Sequence, residues 1–198
     1  MIAVIDYKAG NLTSVIKALA AVGAATVITD DPATVLRADK IVLPGVGHFA
    51  ATRVLETRGL KQAIAERTSA GVPFLGICVG LQWLFSGSTE APDCSGLCAF
   101  NATCERFTRG KKVPHVGWNS LEVRDGSRLI VGVPSGSFVY FTHSYRASVT
   151  NATVAVTHYG EAFTAAAENG NIMGVQFHPE KSAAAGLRIL RNFVEMPC

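Results

Sequence analysis

Cys78 stands between two glycines in Gly76-Ile77-Cys78-Val79-Gly80, where an apolar run over 73–77 ends and a helical pattern begins. This is the G-x-nucleophile-x-G form of a nucleophile elbow, with Cys in place of Ser. A sharp strand-to-helix turn forces strained backbone angles at the nucleophile, and small residues two positions either side let the backbones approach closely. A thiol so placed sits at a helix N-terminus. There the dipole and free N–H groups favour the thiolate and can lower its pKa from about 8.5 towards 3.5–7.5. The same five residues also fit a buried cysteine in a glycine-rich strand.

A thiolate nucleophile needs a base that reprotonates the leaving group, and a further group that fixes the base in one tautomer. His178-Pro179-Glu180 offers both. Pro179 disfavours helical backbone at His178, and in extended chain residues two apart point the same way, which puts Glu180 beside the ring. Pro44-Gly45-Val46-Gly47 supplies a third element. Two glycines flanking one residue after a buried strand give a flexible loop whose N–H groups, with that of Val79, can face an oxyanion. His48, His115 and His158 have no nameable partners and read as structural. Cys94, Cys98 and Cys104 lack the paired spacing and fourth ligand of a zinc site, so no metal is expected. Asp6 to Asn11 is too poor in glycine for a dinucleotide fingerprint.

These groups must be carried by strands and helices that end at one rim. Residues 1–5 are a buried strand. From Leu12, apolar residues at 12, 15, 16, 19 and 22 share a helical face, with Asn11 as N-cap and Gly23 as the stop. Strands follow at 25–28, 41–43 and 73–77, and helices from about 50 to 68 and from Gly80 to Phe85. This alternation predicts a mostly parallel central sheet flanked by helices, flavodoxin-like, with ligands at the carboxyl ends of the strands. The second half reads as β-rich and partly antiparallel, with strands near 129–131, 138–141, 154–157 and 172–175. A last helix from about Ser182 to Val194 places Leu187, Leu190 and Val194 on one face. No linker or repeat interrupts the chain, so 1–198 is expected to be one domain.

Composition narrows the class further. The 198 residues are 48% hydrophobic and 17% charged, which excludes a disordered chain. Eighteen basic against fifteen acidic residues give +3, too little to argue for nucleic acid or a membrane surface as partner. No apolar run approaches the roughly 20 residues of a membrane span. The N-terminus lacks a basic region before its short apolar run, and five cysteines without an export signal read as reduced thiols. A soluble, cytoplasmic protein is expected.

Taken together, Gly76 to Gln82 and His178-Pro179-Glu180 resemble the class I (triad) glutamine amidotransferases. Within that family, the blocks Asp6 to Leu12, Pro44 to Gly47, Pro114 to Asn119, Tyr140 to Tyr145 and Gly174 to Ser182 resemble the glutaminase subunits of imidazole glycerol phosphate synthase, of histidine biosynthesis. The resemblance implies Cys78 as nucleophile, His178 as acid/base and Glu180 as orienter. It implies glutamine contacts by Gln82 and by the backbones of Ser144 and Tyr145, and an oxyanion loop of Gly45, Val46 and Gly47 acting with Val79. It places Asn11, Trp118, Tyr140 and Lys181 towards a partner, a (β/α)8-barrel cyclase, in a heterodimer that channels ammonia, and it implies no metal or organic cofactor. The chain departs from the family at Val79 and Leu81, where Leu and Met are commoner, and over 89–104, where only Gly96-Leu97 of a glycine-rich stretch survives. Two other readings use the same residues: a cysteine peptidase or γ-glutamyl hydrolase, and a docking subunit with a vestigial site.

Overall fold

The computed structural model describes residues 1–9, 12–108 and 112–197. Asn11, expected as a helix cap and a partner-facing residue, and Cys198 lie outside the described residues.

The first half alternates strand and helix. Strands β1 (Ile2–Ile5), β2 (Thr26–Thr29), β3 (Lys40–Gly45) and β4 (Phe74–Cys78) alternate with helices α1 (Leu12–Ala21), α2 (Pro32–Leu36), α3 (Arg53–Thr57), α4 (Leu60–Ser69) and α5 (Val79–Leu84). β1, β3 and β4 are buried at every position, as strands covered on both faces must be. α1 buries Val15, Ala18 and Leu19, spaced by three and four, and ends before Gly23 at φ +85°. The sequence gives no warning of α2 by periodicity. It starts because Asp31 accepts hydrogen bonds from the N–H groups of Ala33 and Thr34, and Pro32 follows at the first turn. The single helix expected over 50–68 is three pieces. A 3-10 turn, Phe49–Thr52, leads into α3, and the chain breaks at Gly59, in the left-handed region at φ +72°, before α4 begins.

The second half adds β5 (Gly87–Ser88), β6 (Thr103–Arg106), β7 (His115–Ser120), β8 (Glu122–Val123), β9 (Phe138–His143), β10 (Tyr145–Arg146), β11 (Thr153–His158), β12 (Ala162–Asn169) and β13 (Ile172–Val175), then α6 (Ala183–Glu195). Among the described residues, the main sheet runs β2-β1-β3-β4-β13-β12-β11-β8. It is parallel from β2 to β13 and antiparallel from there on. The expected mixture of parallel and antiparallel parts is thus a single sheet. β10-β6-β5 form a smaller sheet and β7-β9 an antiparallel ribbon.

Two expectations fail here. Residues 129–131 form no strand. Leu129 and Ile130 are buried, but their backbone is held by side chains instead of a ladder. The Glu168 carboxylate accepts from the N–H of Leu129, and Asn192 Nδ2 donates to the carbonyls of Leu129 and Val131. In α6 the buried face is Gly186, Ile189, Leu190 and Phe193, while Leu187 points outward. The helix turns its seam by one residue because Gly186 must lie against the Pro179 carbonyl, where a Cβ would come within 1.9 Å.

The candidate active site

The elbow is built where β4 meets α5. Cys78 ends β4 with φ +56° and ψ −107°, a conformation that costs a non-glycine residue on the order of 1–3 kcal/mol. The flanking glycines explain how the turn closes. A Cβ on Gly76 would lie 2.4 Å from the Gly80 carbonyl oxygen, and one on Gly80 would lie 1.9 Å from that of Leu43. The thiol therefore stands at the start of α5, with its first N–H groups free of intrahelical acceptors.

Cys78 lines a cavity of about 250 Å³ together with Val46, Gly47, Val79, Gln82 and the segment 142–145. Ser144 and Tyr145, the expected glutamine contacts, thus line the same cavity as Cys78. His178 and Glu180 border a separate gap of about 10 Å³, together with Pro44, Gly45, Val46 and Ile77.

His178 Nδ1 and Glu180 Oε1 are 2.8 Å apart, with both side chains almost fully buried. The route to that contact differs from the expectation. His178 is extended, but Pro179–Lys181 is a 3-10 turn, and the turn swings Glu180 back onto the ring. The other ring nitrogen, Nε2, is buried without a hydrogen-bond partner among the described residues. Burial alone would drive the proton off His178. The Cys78 sulfur and the Glu180 carboxylate outweigh it and raise the imidazole to about 9. The site thus favours an imidazolium, bonded through Nδ1 to the Glu180 carboxylate and supported by the nearby Cys78 sulfur.

Gly45 and Val46 occupy the expected loop, with Gly47 at φ +92°. The Val46 N–H donates to the Ala9 carbonyl at 3.2 Å, so in this conformation it is turned to the N-terminal segment and not to the cavity. Beside it, the Tyr7 hydroxyl is buried without a partner among the described residues. A Cβ on Gly45 would fall 2.1 Å from that oxygen. Desolvation, then the nearby Cys78, pushes the Tyr7 phenol far up.

The remaining expected residues divide into two groups. Gln82 is buried under the cavity and donates to the Tyr145 carbonyl at 2.9 Å. Trp118, Tyr140 and Lys181 gather on the outer face of the β7-β9 ribbon. The Trp118 and Tyr140 rings meet edge to face at 6.1 Å, and the Lys181 ammonium lies 5.7 Å from the Tyr140 ring. The histidines read as structural also find their places. His48 caps the 3-10 turn at Ala50, and His158 pairs with Glu122 at the surface. His115 contacts His143 at 3.2 Å and stacks on Tyr159.

Sequence reasoning missed Gln176 and the depth of His143. Gln176 donates from Nε2 to the Cys78 sulfur at 3.6 Å. Its signal was an amide inside an apolar strand end, two residues before His178. The clustered cysteines are dispersed: Cys94 lies under Arg53, Cys98 is exposed, and Cys104 is buried with its thiol pushed far up by desolvation.

Comparison with known proteins follows the same lines. The family Glutamine amidotransferase class-I matches residues 3–196. The chain is 47% identical to an imidazole glycerol phosphate synthase subunit HisH of Methanothermobacter thermautotrophicus, over 99% of this chain and 98% of the relative. It is 48% identical to that of Methanosarcina mazei, over 98% of each. Among solved structures, a glutamine amidotransferase superposes with TM-score 0.78 at 19% identity, covering 98% of each chain. PurLQS from Thermotoga maritima superposes with TM-score 0.74 at 19% identity, covering 97% of this chain and 96% of that one. These two likenesses bear on the fold alone. Extended identity and a shared fold lead to one conclusion: the chain belongs to the class I glutamine amidotransferases, and within them to the HisH subunits of imidazole glycerol phosphate synthase.

Proposed function

We propose that this chain is a single cytoplasmic amidotransferase domain that hydrolyses glutamine to glutamate and ammonia. It would pass the ammonia to a (β/α)8-barrel cyclase making imidazole glycerol phosphate in histidine biosynthesis. The observation that carries the reading is the strained Cys78 at the floor of a small cavity, backed by an imidazolium that Glu180 holds at 2.8 Å.

In this mechanism the Cys78 thiolate attacks the side-chain carboxamide carbon of glutamine. The tetrahedral oxyanion is met by the N–H of Val79 and by the Gly45–Gly47 loop. His178 gives its proton to the departing ammonia, leaving a glutamyl thioester and a neutral ring. That ring takes a proton from water, the hydroxide splits the thioester, and glutamate leaves with the thiolate restored. Glu180 keeps Nδ1 protonated throughout, so Nε2 is the atom that exchanges protons. Gln82, Ser144 and Tyr145 hold the amino acid end of the substrate.

The Val46 N–H, held by Ala9, makes the isolated chain a slow glutaminase. One missing oxyanion donor costs about 10²–10³ in rate, and partner binding that turns this peptide over would restore it. The docking surface for such a partner is the outer face of the β7-β9 ribbon. Val116, Trp118 and Phe138 are 56%, 52% and 61% exposed there, beside Tyr140 and Lys181. The ribbon also reaches the site, since the Thr142 carbonyl lies 4.0 Å from the Cys78 sulfur.

The competing peptidase reading is disfavoured by the size of the cavity, which suits one small amino acid better than a chain. The deciding experiment measures glutamate release from glutamine by wild type, Cys78→Ala and His178→Ala, alone and with a cyclase and its nucleotide. Release that rises at least a hundredfold with the partner, and vanishes in both variants, is the expected result. Undiminished release by Cys78→Ala overturns the assignment.

A further inference from the structure

A chain of side-chain hydrogen bonds runs from the substrate wall to the nucleophile, and its polarity is fixed by one backbone carbonyl. The Tyr145 carbonyl can only accept. It is met by His143 Nδ1 at 2.8 Å and by Gln82 at 2.9 Å, so His143 carries its proton on Nδ1 and Gln82 presents its amide nitrogen. The same Gln82 nitrogen is 3.2 Å from the Gln176 side chain, which must therefore present its oxygen there. Only one orientation of the Gln176 amide remains. Its NH2 group points at the Cys78 sulfur, 3.6 Å away. On the far side, His143 Nε2 is left as an acceptor for His115 Nδ1–H at 3.2 Å, which requires a neutral His143 and is equally met by a neutral His115 protonated on Nδ1. Burial keeps them so, holding His115 down to about 4 and His143 to about 3.

We infer that Gln176 is a further catalytic residue: its side-chain N–H donates to the Cys78 sulfur and favours the thiolate, and the relay anchored on the Tyr145 carbonyl keeps it from turning over. Gln176, one residue past the end of β13, reaches this place because Gly174 lets Leu81 of α5 approach until a Cβ would lie 2.6 Å from its side chain. That close seam brings Gln82 onto Gln176. The thiol itself has a weaker acceptor in the Thr142 carbonyl, at 4.0 Å. A buried sulfur that loses the amide donor while keeping this carbonyl is biased towards the protonated form.

The inference rests on Cys78 as the nucleophile, and its test requires neither glutamine nor partner. The full-length chain is alkylated with iodoacetamide across pH 5–10, and the peptide bearing Cys78 is followed by mass spectrometry. Replacing Gln176→Met keeps length without a donor. The rising limb of the rate is expected to move up by about one pH unit, so that on its acid side the rate falls about tenfold. Gln176→Glu, which sets a carboxylate against the sulfur, moves the limb further. In wild type, the Gln176 side-chain amide protons shift by NMR as the thiolate titrates, a readout that survives if a variant does not fold. An unchanged limb in a cooperatively folded Gln176→Met, or amide protons that ignore the titration, overturns the inference. A wild type that alkylates as expected but never releases glutamate sinks the glutaminase reading and leaves this one standing.

Discussion

At the scale of single residues, the site is governed by where protons reside. His178 holds a proton in the fold up to about pH 9, against an ordinary value of 6.5. Stability drawn from that proton is fully present below pH 6.5 and is lost as the pH rises through about 9. The gap in urea-unfolding free energy between wild type and His178→Gln is expected to be widest at and below pH 6.5 and to close by about pH 9–10. Replacing Glu180→Gln removes one of the two charges that support the imidazolium, so the pH at which the ring deprotonates, read by NMR of its side-chain nitrogens, should fall. Glutamine turnover should drop with it, by about 10² or more, because Nδ1 is no longer held protonated. The triad candidates were legible in the sequence because each is a rare residue type beside a Gly or Pro signal. Gln176 and His143 were not, since nothing local says that a glutamine in a strand end reaches sulfur.

At the scale of elements, close backbone approach positions the chemistry. Gly80 brings α5 onto the end of β3, and Gly186 brings α6 onto the turn that carries Glu180. Gly186→Ala drives a methyl group to within 1.9 Å of the Pro179 carbonyl. The expected outcome is a loss of about 1–3 kcal/mol in urea unfolding, with Glu180 displaced from His178 and the ring's NMR titration moved to lower pH. The parallel strands were legible as short apolar runs. The strand β12 was not, because its core is three alanines, which carry little strand preference of their own. Leu129 to Val131 misled in the opposite sense. Its apolar run is a buried segment whose backbone is satisfied by Glu168 and Asn192, side chains about 40 and 60 residues away.

At the scale of the whole molecule, two properties emerge that no element owns. One is acid sensitivity. His115 and His143, desolvated to about 4 and 3, stay neutral in the fold while the unfolded chain protonates near 6.5. The unfolded state then binds more protons, so stability falls as the pH drops below 6.5, by up to about 1.4 kcal/mol per pH unit for each ring. His115→Phe is expected to flatten this acid limb in thermal scans between pH 4 and 6.5. The other property is the apolar ribbon face. Phe138→Asp is expected to leave the unfolding temperature within about 2 °C, as exposed substitutions do, while weakening binding to the proposed cyclase at least tenfold by calorimetry.

The sequence by itself determined the elbow, the His-Pro-Glu pair and the alternation of parallel strands with helices, because each depends on local backbone preference and short-range periodicity. The tertiary structure alone decided the rest: the polarity of the amide relay, the engagement of Val46 with Ala9, and the seam of α6. Each is a contact between residues far apart in the chain, settled by which donor, acceptor or methyl group the packed neighbours leave room for.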